Sequence, residues 1–281
     1  YATPTTYSWE KVEINKLPKP RSYQLEAIQA WEDNEYRGIL DMATGTGKTI
    51  IALTAITKCN DIGFIVIGVP TLALVEQWLT NLNKLDSIHP PIDISSRNKN
   101  WANEAFPRLR LAGAGQAKRP FVFVGTYHTI SGKKFLDLIQ KIRPQPNQGL
   151  LIADEVHNAG AKTFQKALIP QYKLRLGLTA TLERSYDEIG TNALIEYFDG
   201  VVYKMSMADA IGKVLCHYRY DLHFALLTDE EFENYQQLTQ KIGRLTSMQA
   251  DEENSETNEA LLNQRAKITK LAKNKLEVLQ Q

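Results

Sequence analysis

The sequence predicts an α/β fold in which a mostly parallel sheet has helices on both faces, followed by a mostly helical segment. Three observations support this. Short apolar runs alternate with amphipathic stretches along the first 200 residues. A Gly-rich loop, residues 42–49, joins one apolar run to a helical stretch. Two carboxylates, Asp154 and Glu155, follow another buried run. Strand–helix alternation with buried strands is typical of parallel sheets covered on both faces.

The strands are predicted from short apolar runs that are bounded by Gly, Pro or polar residues. They lie at 37–42, 64–69, 120–125, 149–154 and 174–179. The helices are predicted from apolar residues that recur every three or four positions. They lie at 22–34, 48–58, 72–84, 132–142, 163–168 and 188–197.

The remaining segments define the domain organisation. Residues 1–17 are predicted as a linker from an upstream region, and residues 18–204 as one domain. Residues 97–119 are rich in Asn, Arg, Gly and Ala and are predicted as an insertion or mobile loop. Residues 205–281 are predicted as a connector. Within it we expect a strand at 217–226, helices at 230–245 and 258–279, and a solvated break at 251–256.

Charge and cysteine content exclude some classes of protein. The net charge of the 281-residue chain is only +1, so the chain is not a polycation. Residues 97–143 nevertheless hold ten basic and two acidic side chains, which could form a phosphate-tracking face or an ordinary solvated surface. Cys59 and Cys216 are too few for a disulfide framework, so a reducing, cytoplasmic compartment is expected. No apolar run is long enough to cross a membrane, so no membrane partner is expected.

The Gly-rich loop has the composition of a phosphate-binding loop. It reads Met42-Ala-Thr-Gly-Thr-Gly-Lys-Thr49, between a predicted strand and a predicted helix. Glycines at 45 and 47 allow backbone N–H groups to turn inward toward phosphate oxygens, and the helix N-terminus adds partial positive charge. Lys48 would reach the β- and γ-phosphates of ATP, and the Thr49 hydroxyl would hold Mg²⁺. Backbone groups of Thr44, Gly45, Thr46 and Gly47 would complete the cradle. The alternative is a Gly-rich turn with an accidental Lys-Thr pair.

The acidic segment, Asp154-Glu-Val-His157, supplies the remaining groups for attack on a terminal phosphate. Asp154 would be the Mg²⁺ partner, directly or through water. Glu155 would polarise the attacking water as a base. His157, three positions after Asp154, is a candidate for coupling, although a lone histidine is more often structural.

These segments resemble the motifs of superfamily 2 helicases and translocases. Asp154-Glu-Val-His157 is a form of that family's Asp-Glu-x-His box, and the Gly-rich loop is similar to its first motif. Pro20-Arg-Ser-Tyr-Gln24 resembles the adenine-recognition segment, in which Gln24 would read adenine beside Arg21. Gly177-Leu-Thr-Ala-Thr-Leu182 resembles the coupling motif, so Thr179, Ala180 and Thr181 would link nucleotide state to strand movement.

Two further motifs resemble segments that contact the nucleic-acid backbone in this superfamily. In Val69-Pro-Thr-Leu-Ala-Leu-Val-Glu-Gln-Trp78 the contact residues would be Pro70, Thr71 and Gln77. Trp78 is predicted as a core residue rather than a platform for base stacking. In Gly125-Thr-Tyr-His-Thr-Ile130 the contact residues would be Thr126, Tyr127 and His128. The Asp-Glu-Val-His box and the Gln-Trp pair are most similar to type I and type III restriction motors and to the xeroderma pigmentosum group B translocase.

The resemblance implies a RecA-like domain that is the ATP-binding half of a DNA helicase or translocase of a restriction, defence or repair system. ATP, Mg²⁺ and nucleic acid, with duplex DNA favoured, would be its ligands. Such motors hold ATP between two RecA-like halves, and no second half is recognisable here, so we expect a second RecA-like domain, and possibly a nuclease domain or subunit, as partners. Two alternatives stay open: an ATP-switched nucleic-acid sensor that does not unwind, and an unrelated phosphotransferase with a similar loop.

Overall fold

The computed structural model describes residues 18–58, 62–85, 88–141, 149–182, 187–217, 221–247 and 252–279. The chain divides into two compact units, 1–217 and 218–281. They are described separately below. The first unit contains all five predicted strands and five of the six predicted helices.

Within the described part of the first unit, seven strands form one sheet in which every pairing is parallel. The strands are β1 (Arg37–Met42), β2 (Phe64–Val69), β3 (Ile92–Asp93), β4 (Phe121–Thr126), β5 (Gly149–Asp154), β6 (Leu174–Thr179) and β7 (Val201–Met205). Their order across the sheet is β3-β4-β2-β5-β6-β1-β7.

Helices cover both faces of this sheet. They are α1 (Ser22–Asp33), α2 (Lys48–Lys58), α3 (Leu72–Leu82), α4 (Trp101–Gly113), α5 (Tyr127–Ile130), α6 (Lys133–Gln140), α7 (Glu188–Phe198) and α8 (Met207–Ala210). Two short 3₁₀ helices span Val156–Gly160 and Gln165–Ala167.

Alternate residues of each strand point to opposite faces of the sheet and so supply two separate hydrophobic cores. The first core joins α1, α2 and α3 to strand residues such as Ile65 and Ile67. The second joins α4, α5, α6 and α7 to the intervening residues, such as Phe64 and Val66. This two-faced burial explains why β2, β4 and β5 are almost continuous apolar runs rather than alternating ones.

The structure corrects three predictions about elements in the first unit. The segment 97–119 contains helix α4, which buries Ala105, Leu109 and Ala112, so it is not a loop throughout. Pro107 lies inside α4 and is the residue that hides its helical pattern. The helix predicted at 163–168 is a single 3₁₀ turn. Strands β3 and β7 were not predicted, since one is two residues long and the other has a half-exposed edge position.

The second unit contains three helices in its described part: α9 (Asp229–Ser247), α10 (Glu252–Lys270) and α11 (Asn274–Leu279). Helices α9 and α10 pack against each other. The strand predicted at 217–226 is absent over 221–226, and the break predicted at 251–256 is wrong from 252 onward, where α10 begins. In the described parts of both units, no helix combines the length and the apolar character that a membrane crossing requires.

Candidate functional site

The predicted motifs gather at one edge of the sheet because all seven strands are parallel. The loop 43–47 follows β1, Asp154 ends β5, and Thr179 ends β6. Strand registry places Asp154 beside Leu178, and Thr179 beside Asp41. Strands β2 and β4 also end here, with Val69 paired to Thr126. The carboxyl edge of a parallel sheet is where α/β proteins bind ligands.

The Gly-rich loop has the backbone conformation that its glycines predict. Gly45 and Gly47 have φ angles of 86° and 77°, in the left-handed region that L side chains rarely adopt. Lys48 is the first residue of α2, and its Nζ donates hydrogen bonds to the carbonyl oxygens of Met42, at 2.9 Å, and Ala43, at 3.4 Å. Burial lowers the pKa of Lys48, while nearby Glu155, Asp154 and Asp41 raise it. The ammonium group therefore lies within a cluster of carboxylates beneath the loop.

Helix α1 is tied to the loop by two side chains that bond to one carbonyl. The Tyr23 hydroxyl and the Gln24 Nε2 donate to the Thr46 oxygen at 2.8 and 2.9 Å. The Gln24 Oε1 accepts from the Arg21 backbone N–H at 2.9 Å. A Cβ on Gly47 would lie 2.5 Å from Gln24 Nε2 and would displace this amide, and the φ of 77° independently favours glycine. Sequence reasoning singled out Gln24 and Arg21, but it did not assign a contact to Tyr23.

Asp154 is held by donors from three elements. Its side chain is buried, with Oδ2 accepting from Trp78 Nε1 at 2.8 Å and Oδ1 from the Glu155 N–H at 3.1 Å. Its backbone oxygen accepts from the Tyr127 hydroxyl at 2.8 Å. Burial raises the pKa of Asp154, whereas the Trp78 and Glu155 hydrogen bonds and the Lys48 charge lower it. Trp78 is a core residue, as predicted, but its hydrogen bond was not foreseen from the sequence.

Glu155 and His157 lie in a strained turn. Glu155 has a φ of 51°, which is uncommon for a residue other than glycine and is characteristic of functional sites. The side-chain amide nitrogen of Asn158 donates to the backbone carbonyl oxygen of Glu155 at 3.1 Å and lies 3.0 Å from His157 Nε2. Because an amide nitrogen can only donate, Nε2 accepts and the ring proton is on Nδ1.

That tautomer places a donor toward the coupling motif. His157 Nδ1 lies 3.1 Å from Thr179 Oγ1, and Thr179 Oγ1 donates to the Thr181 carbonyl oxygen at 2.9 Å. Glu155 Oε2 is 3.6 Å from the same His157 nitrogen. A chain of hydrogen bonds therefore connects the ends of β5 and β6. Asn158 was missed in the sequence, where only its position after the acidic box could have suggested it.

The predicted nucleic-acid contacts are divided between surface and core. Thr71 and Gln77 on α3, and His128 on α5, are exposed, while Pro70 and Thr126 are half-buried. Thr71 and Thr126 are the N-caps of their helices, accepting from Leu74 N–H and Thr129 N–H. The side chain of Tyr127, also predicted as a contact, is not available at the surface, since only 2% of this residue is exposed. Its aromatic ring belongs to the second core and its hydroxyl faces Asp154.

The residues present fit a magnesium nucleotide. The oxygen donors Thr49 and Asp154 at this edge are of the type that Mg²⁺ prefers. No group of three or more His, Cys, Asp or Glu side chains suited to a metal exists in the described ranges. Mg²⁺ in nucleotide sites is usually held by one or two carboxylates together with waters and phosphate oxygens. A cavity of about 580 Å³ lies beside α1, lined by Arg21, Tyr23 and Tyr203, among others. Its size is within the range of small-molecule sites.

Comparison with known proteins agrees with this geometry. Residues 17–184 match the family described as type III restriction enzyme, res subunit. The chain is 31% identical over 245 residues to a DNA 3'-5' translocase XPB2 of Sulfurisphaera tokodaii, a match that covers 82% of the chain and 47% of the relative. It is 31% identical over 177 residues to a general transcription and DNA repair factor IIH helicase/translocase subunit XPB of Enterocytozoon bieneusi, covering 60% of the chain and 28% of the relative.

Solved structures share the fold. The helicase domain of Pyrococcus furiosus Hef superposes with a TM-score of 0.52 at 20% identity, covering 91% of this chain and 55% of that one. The chain spans less than half the length of the two XPB relatives described above. The family match extends over more than half of the chain. The chain therefore belongs to the family described as type III restriction enzyme, res subunit, and it contains a first RecA-like domain of the superfamily 2 helicases.

Proposed function

We propose that this chain is the ATP-binding half of a DNA-dependent ATPase motor, a helicase or translocase of a restriction or repair system. The observation that carries the proposal is the convergence of Lys48, Asp154, Glu155 and His157 at the carboxyl edge of one parallel sheet. The family match and the relatives named as DNA translocases support it.

In this proposal the Gly-rich loop binds the phosphates of ATP. Backbone N–H groups of residues 44–49 and the N-terminus of α2 face the phosphate oxygens, and Lys48 exchanges its carbonyl partners for the β- and γ-phosphates. Thr49 and Asp154 would hold Mg²⁺, which would neutralise charge on the phosphates. Glu155 orients and deprotonates the attacking water, and its left-handed backbone fixes the direction of its carboxylate.

The base of the nucleotide would bind beside α1. Gln24 uses one amide hydrogen on Thr46 and one oxygen lone pair on Arg21, so one donor and one acceptor remain for adenine. The adjacent cavity presents Arg21 and Tyr23 as neighbours. Since Gln24 also supports the loop, the recognition of adenine and the conformation of the phosphate cradle would be linked.

Nucleic acid would bind across the exposed starts of α3 and α5. Pro70, Thr71, Gln77, Thr126 and His128 lie at or after the ends of β2 and β4. Contacts from such residues go mainly to phosphates, so binding would be largely independent of sequence. DNA is favoured because relatives of this chain are named as DNA translocases. A duplex is favoured only through the resemblance of the motifs to restriction and repair motors.

Coupling would use the hydrogen-bond chain from His157 through Thr179 to Thr181. Glu155 is beside His157, so the loss of the γ-phosphate would alter the hydrogen bonds at the end of β6. A second RecA-like half would close over this edge and supply an arginine that contacts the phosphates of ATP. A nuclease partner remains a prediction.

The test is ATP turnover with and without duplex DNA, in the wild-type chain and in Lys48→Ala. We expect turnover by the chain alone to be slow, to rise with DNA and to be lost in the variant. Phosphate transfer to a small-molecule acceptor, with no response to DNA, would instead support a phosphotransferase. ATPase stimulation without strand separation in a strand-displacement assay would identify a translocase or sensor rather than a helicase.

A further inference from the structure

Two buried aromatic side chains reach Asp154 from opposite faces of the sheet. Trp78 lies on α3 in the first core and is 1% exposed, and Tyr127 lies on α5 in the second core and is 2% exposed. The indole donates to the carboxylate and the phenol donates to the backbone oxygen, each at 2.8 Å. The proposed cation ligand is therefore held on both sides by hydrogen bonds that solvent does not reach.

Each aromatic residue adjoins exposed polar residues on the surface proposed for nucleic acid. Trp78 directly follows exposed Gln77, on the helix that Thr71 caps. Tyr127 lies between Thr126, the cap of α5, and exposed His128. Closely packed elements transmit displacement, so a shift of α3, or of the single turn α5, on a nucleic-acid backbone would also shift the donor at Asp154.

The hydrogen bonds at Asp154 leave room for a cation. A carboxylate oxygen has two lone pairs, and Oδ1 and Oδ2 each accept one protein donor, from Glu155 N–H and Trp78. One lone pair on each oxygen stays available, and the indole determines the rotation of the carboxylate plane. Removing a donor of this kind from around a metal ligand typically lowers metal affinity by about 10–100-fold.

We propose that Trp78 and Tyr127 are positioning residues that orient Asp154 for the nucleotide-bound cation and transmit nucleic-acid binding on α3 and α5 to it. This inference rests on the proposed function. It assigns the response to DNA to two buried hydrogen bonds, in addition to the exposed contacts themselves.

The experiment measures the affinity of the chain for mant-ATP, a fluorescent ATP analogue, in Mg²⁺ and in EDTA, each with and without duplex DNA. The dissociation constant in EDTA divided by the dissociation constant in Mg²⁺ gives a ratio that reports the contribution of Mg²⁺ to binding. Trp78→Phe should lower this ratio about tenfold and leave the affinity in EDTA unchanged. Tyr127→Phe, which removes one oxygen atom, should change the ratio in the same direction by less. Both should reduce the effect of DNA on the ratio.

Two matched variants control for the loss of a buried donor. Trp31→Phe removes an indole that is also fully buried and donates at 2.8 Å, but to the Arg175 oxygen near the start of β6. Tyr197→Phe removes a hydroxyl that donates to the Ile169 oxygen at 2.7 Å. Thermal melts establish that each variant folds, and Tyr127→Phe decides the question if Trp78→Phe does not fold.

The outcomes separate this inference from the function on which it rests. Ratios within about twofold of wild type in both test variants, or equal losses in the controls, would overturn the inference alone. If wild-type chain binds mant-ATP no better than Lys48→Ala, or shows no Mg²⁺ dependence, then the proposed function fails and this inference fails with it.

Discussion

Gly47 is the residue at which the loop is most sensitive to change. Its φ of 77° disfavours any side chain, and a Cβ would lie 2.5 Å from Gln24 Nε2. We expect Gly47→Ala to cost about 1–2 kcal/mol of backbone strain and to displace the amide that supports Thr46. Affinity for Mg-ATP, measured by calorimetry, should therefore fall at least about tenfold.

Gly243→Ala is the control for this substitution. Gly243 lies within α9, and a Cβ there would meet no atom within 4 Å. Alanine is favoured over glycine in a helix by about 1 kcal/mol, so this variant should bind Mg-ATP normally. Equal affinities of Gly47→Ala and wild type would show that the loop does not bind phosphate in the conformation described.

The Thr179 hydroxyl is expected to affect coupling rather than binding. Thr179→Val removes the group that joins His157 to Thr181 while keeping the shape of the side chain. Mg-ATP affinity should be unchanged, and the stimulation of turnover by DNA should fall by a factor that corresponds to about 0.5–2 kcal/mol. Thr54→Val, which removes a buried hydroxyl bonded to Ile50 within α2, should leave stimulation intact. A normal DNA response in Thr179→Val would contradict the coupling role.

Residues with a fixed chemical role could be predicted from the sequence, whereas their partners could not. Lys48 and Asp154 are identifiable because a phosphate loop and a carboxylate after a buried strand need those residue types at those places. The donors Trp78 and Tyr127 could not be assigned, since they lie 76 and 27 positions away from Asp154. Only the tertiary packing of α3 and α5 brings them there. The burial of Tyr127 could not be predicted either, because a motif gives no information on which of its side chains is buried.

Thr71, the N-cap of α3, is expected to contribute both to the stability of the fold and to the proposed DNA contact. Thr71 accepts a hydrogen bond from Leu74 N–H and is exposed. Thr71→Ala should cost about 1 kcal/mol of folding free energy, which lowers the Tm by about 2–4 °C in a domain of this size, and should also weaken DNA binding. Thr71→Ser keeps the cap and should preserve both. A Tm loss in Thr71→Ala with unchanged DNA affinity, by fluorescence anisotropy, would remove Thr71 from the nucleic-acid surface.

Element prediction succeeded where a segment is buried on both sides and failed where it is not. Strands β2 and β5 are buried at every position, so their apolar runs are unambiguous. Strand β7 lies at the sheet edge with mostly half-exposed residues, and its apolar content alone does not distinguish it from a loop. Helix α4 contains Pro107 and many polar residues, so its pattern resembled a loop although one side packs into the second core.

At the scale of the whole molecule, hydrolysis should depend on a second RecA-like half. In related phosphoryl transfer, an arginine supplied from outside the phosphate loop contributes about 10³–10⁵ in rate. We therefore expect the chain alone to bind Mg-ATP but to turn it over very slowly in a phosphate-release assay. A longer protein that includes the second half should be faster by a factor in that range. Rapid turnover by the chain alone, at a concentration where it is monomeric, would contradict this expectation.

The central claim is that ATP and DNA act on the same domain and influence each other. Such coupling is reciprocal, so it can be measured from the DNA side. The most direct measurement is the anisotropy of a labelled duplex titrated with the chain, with and without a non-hydrolysable Mg-ATP analogue, in wild type and Lys48→Ala. We predict that the analogue changes the DNA affinity of the wild type about fivefold or more and leaves that of Lys48→Ala unchanged. An affinity that the analogue does not alter in the wild type, or alters equally in Lys48→Ala, would contradict the account.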